Sequence, residues 1–228
     1  MQKMIYVLSD IHGNMTRYNS IMEQISLQKT DTLYILGDVI DRCPDGIKIL
    51  RQIMKCDNIK MLLGNHEYMM LEVLAPYRKI NEQEYAHLIN LWYRNGGEVT
   101  HNYLKHIRKE HRVEIFNYLK SLPLEFEVTV NGKKFLLVHA SPAQEYNKST
   151  KFKNETEFAL WNRWHRGNDV PKGYTLIFGH TPTYHYRKIK PYQIWKEGRA
   201  IDIDCGCGYS EGRLACLRLD DMKEFYAE

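Results

Sequence analysis

The sequence predicts an α/β fold in which a parallel sheet carries helices on its faces. Near the start of the chain, three short apolar segments each end in a polar turn and are each followed by a turn or helical pattern. Strands that alternate with helices favour parallel pairing, because each helix returns the chain to the same end of the sheet. A hairpin signal and further strand patterns in the second half add strand pairs to this plan.

The first half is predicted to contain three strands and two helices. The strands cover residues 4–8, 32–36 and 59–63, and each is a short run of strand-forming apolar residues. Asn14 can cap a helix over 15–26 with its side-chain oxygen, and Pro44 suits the first turn of a second helix. The order is therefore strand, helix, strand, helix, strand.

A polar and aromatic stretch from about 67 to 120 follows, and its pattern is helical. We interpret it as a helical insertion or cap, interrupted at Asn95-Gly96-Gly97. It contains a group of aromatic residues that we expect to form the core of the cap, with stacking on a substrate ring as the alternative. These residues are Tyr77, Tyr85, Trp92, Tyr93 and Tyr103.

The second half begins with a predicted β-hairpin. Residues 126–130 and 133–138 alternate around Asn131-Gly132, a dipeptide that favours a two-residue hairpin turn. One helix is predicted over 155–161, and strands over 175–178, 199–203 and 213–219. We expect mostly antiparallel pairing here, and a single domain over 1–228.

Composition excludes some classes of protein and leaves others open. The net charge of +4 is mild and neither excludes nor demands an anionic partner such as a phosphorylated protein or a nucleotide. We expect the basic residues of 105–112 to form a solvated helix face, and we therefore expect no nucleic-acid partner. No apolar run approaches the roughly 20 residues that span a bilayer, and the apolar start is too short for a secretory signal. Five cysteines, an odd number without disulfide-type spacing, favour a reducing compartment. We therefore expect a cytoplasmic protein without a membrane partner, and the sequence gives no oligomeric state.

Five turns that follow predicted strands carry residues typical of metal ligands. In open α/β sheets such strand ends meet at one edge, so ligands far apart in sequence can share a site. Aspartate, histidine and the asparagine carbonyl suit manganese, iron or zinc, and two cations about 3.5–4 Å apart need a bridging carboxylate. The turns are Asp10-Ile11-His12-Gly13, Gly37-Asp38-Val39-Ile40-Asp41-Arg42, Gly64-Asn65-His66-Glu67, His139-Ala140 and Gly179-His180-Thr181.

In this order, D-x-H, G-D-x-x-D-R, G-N-H-E, a later histidine and G-H-T-P resemble the calcineurin-like metallophosphoesterase superfamily. Within it, the chain is similar to bacterial phosphoprotein phosphatases of the bacteriophage lambda type. Asn95-Gly96-Gly97 and Trp161-Asn162-Arg163 also resemble that subgroup. The resemblance implies a four-layer α/β/β/α sandwich of two mixed sheets flanked by helices. It also implies two divalent cations, Mn²⁺ in preference to iron or zinc.

The resemblance assigns a role to each matching residue. Asp10 and His12 would bind the first metal, Asp38 would bridge both, and a hydroxide shared by the metals would attack phosphorus. The second metal would be completed by Asn65, His139 and His180. His66 would protonate the leaving group with Asp41 orienting it, and Arg42 and Arg163 would hold the phosphoryl oxygens.

The expected activity is hydrolysis of phosphoserine or phosphothreonine in a phosphorylated protein or peptide, with phosphotyrosine or a small phosphoester as further candidate substrates. One difference from these phosphatases weakens the case for a protein substrate. They have an arginine immediately before G-N-H-E, and this chain has Leu63 at that position. Arg94 or Arg187 could replace it. The alternative is a symmetrical dinucleoside polyphosphate hydrolase or a phosphodiesterase, although the former typically has G-N-H-D where this chain has Glu67. A non-catalytic scaffold would not need the full ligand set.

Overall fold

The computed structural model describes residues 3–147 and 151–228. The first sheet contains five strands in the order β10-β9-β1-β2-β3, and the second contains five in the order β4-β5-β6-β8-β7. The strands are β1 Ile5–Leu8, β2 Thr32–Ile35, β3 Ile59–Met61, β4 Glu125–Val130, β5 Lys133–Val138, β6 Tyr174–Phe178, β7 Trp195–Glu197, β8 Ala200–Asp202, β9 Leu214–Arg218 and β10 Glu224–Ala227. The helices are α1 Met15–Ile25, α2 Gly46–Ile53, α3 Asn65–Leu74, α4 Glu82–Arg94, α5 Glu98–Lys105, α6 Lys109–Lys120 and α7 Glu155–Trp161.

The first half follows the predicted alternation of strands and helices. β1, β2 and β3 are parallel neighbours, and α1 and α2 connect them. The Asn14 side chain accepts a hydrogen bond from the Arg17 backbone N–H at 3.1 Å, so the predicted cap of α1 is confirmed. α2 begins at Gly46, two residues after Pro44, because Pro44 lies in the turn before the helix.

The second half differs from the prediction in its pairing. The 126–138 hairpin is antiparallel, as predicted, but β5, β6 and β8 are parallel neighbours. The expectation of mostly antiparallel pairing is wrong for these central strands because two connections return the chain to the same end of the sheet. The first runs through α7, between β5 and β6, and the second runs through β7, between β6 and β8. The buried run Phe135–Val138 is typical of a parallel strand covered on both faces. β7 and β10 were not predicted.

The two sheets pack face to face, and alternate residues of each strand divide between the two faces. A core between the sheets contains Ile5, Val7, Leu36 and Leu62 together with Phe135, Leu137, Ile177 and Ile201. The outer face of the first sheet packs on the helices, through Tyr6, Leu8, Leu33 and Ile35 against Tyr18, Ile21, Leu50 and Met70. On the outer face of the second sheet, aromatic side chains such as Trp164 cover Leu136 and Phe178. The predicted α/β class with two mixed sheets is thus confirmed.

Four consecutive helices, α3 to α6, occupy the region predicted to be a helical insertion. Trp92 is fully buried, and Tyr93 and Tyr103 pack against the same core, so these three confirm the interpretation as an aromatic core. Tyr77 and Tyr85 do not belong to it, because their side chains are exposed. None of the helices in the described ranges is long and apolar enough to cross a membrane.

Candidate active site

The ligand-bearing turns meet at one edge of the molecule, where strands of both sheets end. Asp10, Asp38 and Asn65 follow β1, β2 and β3 of the first sheet, and His139 and His180 follow β5 and β6 of the second. The packing of the two sheets brings these ends together. All the predicted ligands except His180 are buried, and His180 is partly buried.

One cluster of donor atoms surrounds Asp38 Oδ2. The Nε2 atoms of His12 and His66 lie 4.0 and 3.8 Å from Asp38 Oδ2. Asp10 Oδ1 lies 3.8 Å from His12 Nε2, and the other Asp10 oxygen accepts hydrogen bonds from Ser9 Oγ and the His180 backbone N–H. Donor atoms of His12, Asp38 and His66 all lie within 4.8 Å of one another. His66, predicted to be the acid, therefore also lies close enough to share a cation.

A second cluster lies on the other side of the same carboxylate. Donor atoms of Asp38, His139 and His180 lie within 4.8 Å of one another, and His139 Nε2 is 3.6 Å from Asp38 Oδ1. Asn65 Oδ1 lies between the two imidazoles, 2.8 Å from His139 Nε2 and 2.9 Å from His180 Nδ1. The geometry therefore places Asp38 between two donor sets, as a bridging carboxylate would be.

The donor set fits divalent cations. Bonds of about 2.0–2.2 Å from one cation to nitrogen or oxygen place two donors at most about 4.4 Å apart. The separations of 3.6 to 4.0 Å between Asp38 and its three neighbouring imidazoles fall within that limit, and they are too long for hydrogen bonds. The gaps around this buried carboxylate are therefore of a size that cations can fill.

Burial also shifts the pKa values of several predicted ligands. It lowers the pKa of His12 and His180, and this favours the neutral imidazole whose lone pair binds a metal. Burial raises the pKa of the Asp38 carboxyl well above its usual range, with the nearby Asp10 and Glu67 charges acting in the same direction. A bound cation would lower this pKa again, since its positive charge stabilises the carboxylate.

Backbone conformation concentrates unusual geometry at this site. Several of its side-chain-bearing residues have positive φ angles, a region that non-glycine residues rarely adopt. Such conformations cost free energy and persist where the surrounding structure enforces them, commonly at functional sites. The residues are Asp10 (54°), His12 (48°), Asp38 (53°), Asp41 (71°), Arg42 (67°) and His180 (67°).

Asp41 contacts His66 and is itself held by a residue of the helical insertion. His66 Nδ1 lies 2.7 Å from Asp41 Oδ2, and the Trp92 indole N–H donates to the same oxygen at 2.8 Å. Gly97 makes room for this indole, because a Cβ there would lie 2.2 Å from Trp92 Nε1. Trp92 is predicted from the sequence only as part of the cap core, and its contact with Asp41 was not predicted. The neighbouring Asn95-Gly96-Gly97 motif was its only sequence signal.

Two arginines line the small cavity above the donor clusters. The cavity, about 140 Å³, is lined by Arg42, Arg163, His66, His180 and other residues. Arg42 Nη2 lies 3.5 Å from His66 Nε2, and its guanidinium stacks on Tyr209 at 5.0 Å. Among the described residues, neither Arg94 nor Arg187 lines it, and the Arg187 guanidinium instead donates to the Ile189 and Ile194 carbonyls. Neither suggested replacement therefore supplies a third arginine to this cavity, and Leu63 itself is buried in the core.

Glu67 has a structural role that the sequence did not reveal. Its carboxylate accepts hydrogen bonds from the backbone N–H groups of Asp38 (2.9 Å), Val39 (2.9 Å) and Ile40 (3.2 Å). The side chain is fully buried and faces the loop rather than the cavity. The difference between glutamate and aspartate at this position therefore says little about the substrate.

Comparison with known proteins identifies the family. The family model described as calcineurin-like phosphoesterase matches residues 3–219. Among solved structures, a protein provisionally named diadenosine tetraphosphatase has a TM-score of 0.64 at 17% identity and covers 100% of this chain and 94% of its own. A protein serine/threonine phosphatase from Saccharomyces cerevisiae has a TM-score of 0.60 at 14% identity, with 99% and 79% covered. At these identities the structures support the fold alone.

The curated relatives carry a different name from the expected one. Symmetrical bis(5'-nucleosyl)-tetraphosphatases from Wigglesworthia glossinidia brevipalpis and Proteus mirabilis are each 26% identical, over 96% of this chain and 97% and 96% of their own lengths. The relative from Buchnera aphidicola subsp. Baizongia pistaciae is 28% identical, but only 51% of its length is matched. These relatives overturn the expectation of a phosphoprotein phosphatase. Because the family model matches nearly the whole chain, this protein belongs to the calcineurin-like phosphoesterase family of metal-dependent hydrolases.

Proposed function

We propose that this chain hydrolyses bis(5'-nucleosyl) tetraphosphates symmetrically, giving two nucleoside diphosphates. The observation that carries the proposal is the full-length similarity to relatives of that name in Wigglesworthia and Proteus. The burial of Leu63, where phosphoprotein phosphatases have an arginine, is consistent with it. Glutamate instead of aspartate at position 67 does not argue against the proposal, because the Glu67 side chain faces the Asp38 loop.

The proposed ligands of two divalent cations are the residues of the two donor clusters. Asp10, His12 and Asp38 would hold the first cation, and Asp38 would also reach the second. Asn65, His139 and His180 would complete the second site, and Mn²⁺ suits this mixture of nitrogen and oxygen donors. When bound, such a pair lowers the pKa of coordinated water toward neutrality and withdraws charge from phosphoryl oxygens.

We assign His66 to proton transfer rather than to the first cation. Its Nδ1 is engaged by Asp41, and the Arg42 guanidinium lies 3.5 Å from its Nε2. A cation on that nitrogen would be repelled by the guanidinium charge. In the proposed role Nε2 gives its proton to the departing oxygen, while the Asp41 carboxylate stabilises the positive charge on the ring.

Arg42 and Arg163 would hold the phosphoryl group during the reaction. Both line the 140 Å³ cavity, and a guanidinium binds phosphate oxygens through two parallel hydrogen bonds. Water attacks one of the two central phosphorus atoms in line with the central bridging oxygen. The bond from that phosphorus to the bridging oxygen breaks, and the second nucleoside diphosphate leaves with this oxygen.

Product analysis tests the proposal directly. The full chain is incubated with Mn²⁺ and diadenosine tetraphosphate, and the nucleotides are separated by chromatography. We expect ADP as the only product. In Asp38→Asn the rate should fall more than roughly 100-fold, because even outer partners of metal ligands contribute 10–100-fold. Asp57→Asn, which changes an exposed aspartate, is the matched control. AMP together with ATP, or turnover of phosphopeptides without turnover of the dinucleotide, would contradict the proposal.

A further inference from the structure

A second, larger cavity opens beside the catalytic one and shares part of its wall. It measures about 490 Å³ and lies between α3, α4 and the α7 region. Trp161, Arg163 and His180 line both cavities, so the two cavities adjoin along this shared wall. We call it the insertion cavity; away from the shared wall its lining includes Met69, Glu72, Arg78, Leu88, Leu91 and Phe152.

Size separates the roles of the two cavities. Sites for small organic ligands usually measure about 300–1,000 Å³. The catalytic cavity of 140 Å³ falls below this range and suits a phosphoryl group, whereas the insertion cavity of 490 Å³ falls within it. A substrate with a phosphate chain and a bulky end would therefore place the chain in the first and the end in the second.

We propose that the insertion cavity binds one nucleoside of a dinucleoside polyphosphate whose central phosphates lie in the catalytic cavity. The inference rests on the proposed function and names the structural element that selects the nucleotide substrate. Arg163, on the shared wall, would contact the phosphates that connect the two ends.

The lining of the insertion cavity suits an aromatic base. Met69, Leu88 and Leu91 supply apolar surface, and Phe152 and Trp161 supply aromatic rings. Stacking of a nucleobase on an aromatic side chain contributes favourably for every base, because each has a π-face. The apolar part belongs to α3 and α4, so the helical insertion would provide the specificity of the site.

The charges around the insertion cavity favour a neutral group away from the shared wall. Arg78 Nη1 donates to Glu84 Oε2 at 2.9 Å, and Lys153 pairs with Glu157 at 3.6 Å. These pairs neutralise much of the charge at that end, where a phosphate would gain little. Glu72 and the paired carboxylates can still accept hydrogen bonds from ribose hydroxyls or a base amino group.

Filling the insertion cavity provides the first test. Leu91 is partly exposed on α4, so Leu91→Trp can extend into the cavity without disturbing the buried core. We expect the ratio of kcat/KM for diadenosine tetraphosphate to kcat/KM for para-nitrophenyl phosphate to fall about tenfold or more, because the latter has no nucleoside. Val113→Trp, at a separate cavity of about 280 Å³ beside α5 and α6, should leave this ratio unchanged. An unchanged ratio in Leu91→Trp would overturn the proposal.

Inhibition provides a second test that does not require dinucleotide turnover. Para-nitrophenyl phosphate turnover is inhibited with ADP or with methyl diphosphate, which has the same diphosphate and no nucleoside. We expect ADP to bind at least about fivefold more tightly, and Phe152→Ala to remove most of this preference. Equal inhibition of the wild-type protein would overturn the inference. If the preference is present and lost in Phe152→Ala while diadenosine tetraphosphate is not hydrolysed, the nucleoside site stands and the proposed function fails.

Discussion

Asp41 shows how single residues at this site combine local strain with long-range contacts. Its φ angle is 71°, and one of its oxygens receives both the His66 contact and the Trp92 indole N–H. Its backbone N–H donates to Thr100 Oγ at 3.1 Å, so α5 also fixes its position. The helical insertion thereby contacts Asp41, the residue that orients the proposed acid His66.

His66→Asn should discriminate between substrates by their leaving groups. Only a poor leaving group needs a proton at the moment of bond cleavage, and general acid catalysis contributes about 100–10,000-fold. We expect a loss of about 100-fold or more with phenyl phosphate and less than about tenfold with 2,4-dinitrophenyl phosphate, measured as kcat with Mn²⁺. Equal losses on both substrates would remove His66 from the role of acid and favour a role in binding the first cation.

Trp92→Phe should also reduce activity more on substrates with poor leaving groups, but by less than His66→Asn. The change removes the indole N–H that holds Asp41 while keeping an aromatic ring, and a hydrogen bond to a charged group contributes about 1.5–3 kcal/mol. We expect kcat for phenyl phosphate to fall about tenfold, with a smaller effect on 2,4-dinitrophenyl phosphate. Tyr93→Phe is the matched control, since the Tyr93 hydroxyl contacts His101. A loss independent of the leaving group would indicate that Trp92 contributes packing alone.

Among the secondary-structure elements, the loop after β2 and the start of α3 stabilise each other through reciprocal hydrogen bonds. Asp38 Oδ1 accepts from the His66 backbone N–H at 3.0 Å, and the Glu67 carboxylate accepts from the Asp38 N–H. This reciprocal pattern resembles a capping box whose partners come from different segments. Gly64, at the N-cap, is required because a Cβ there would lie 2.3 Å from both Asp38 N and Asp38 Oδ1.

Glu67→Gln should destabilise the protein through this pair of elements. The amide oxygen can still accept from Val39 and Ile40, but the amide nitrogen would face the Asp38 N–H, and two donors cannot pair. Leaving a buried donor unsatisfied costs about 1–3 kcal/mol. We expect a loss of that size in the free energy of unfolding, measured with urea in EDTA. The exposed Glu110→Gln is the control, and wild-type stability in Glu67→Gln would show that the loop does not depend on this carboxylate.

At the scale of the whole molecule, buried acids make stability depend on pH. Asp202 at the end of β8 is fully buried, and its Oδ2 lacks a hydrogen-bond partner among the described residues. Burial, and then the nearby Asp204 charge, raise the pKa of the Asp202 carboxyl well above its usual range. Between its unfolded and folded pKa values the native state binds more protons, so this contribution to stability falls as pH rises.

Asp202→Asn should therefore stabilise the metal-free protein at high pH. The asparagine oxygen can still accept the Asp204 backbone N–H, which donates to Asp202 Oδ1 at 2.9 Å, and position 202 no longer carries a charge that repels the buried Asp204. We expect a higher free energy of unfolding than wild type at pH 8, and a difference that narrows toward pH 4, measured with urea in EDTA. A variant less stable than wild type at pH 8 would indicate a charged Asp202 with a compensating partner.

Local sequence patterns were enough to predict the first three strands with their two helices, the polar turns at the strand ends, and the helical nature of the insertion. These are local properties: apolar periodicity, capping residues and turns decide them over a few neighbouring positions. The strand-end rule predicted that Asp10, Asp38 and Asn65 would lie at one edge of the sheet, and the structure places Asp10 and Asp38 beside His12, and Asp38 and Asn65 beside His139. The substrate class did not follow from the same motifs, and the expectation of a phosphoprotein was wrong.

The contacts between distant segments of the chain could not be predicted from the sequence. Trp92 reaches Asp41 across 51 positions of sequence, and Glu67 anchors the loop at Asp38. The parallel pairing of β5, β6 and β8 and the insertion cavity beside Arg163 are likewise properties of packed elements. Such contacts depend on the packing of the sheets and the insertion, and no local pattern encodes that geometry.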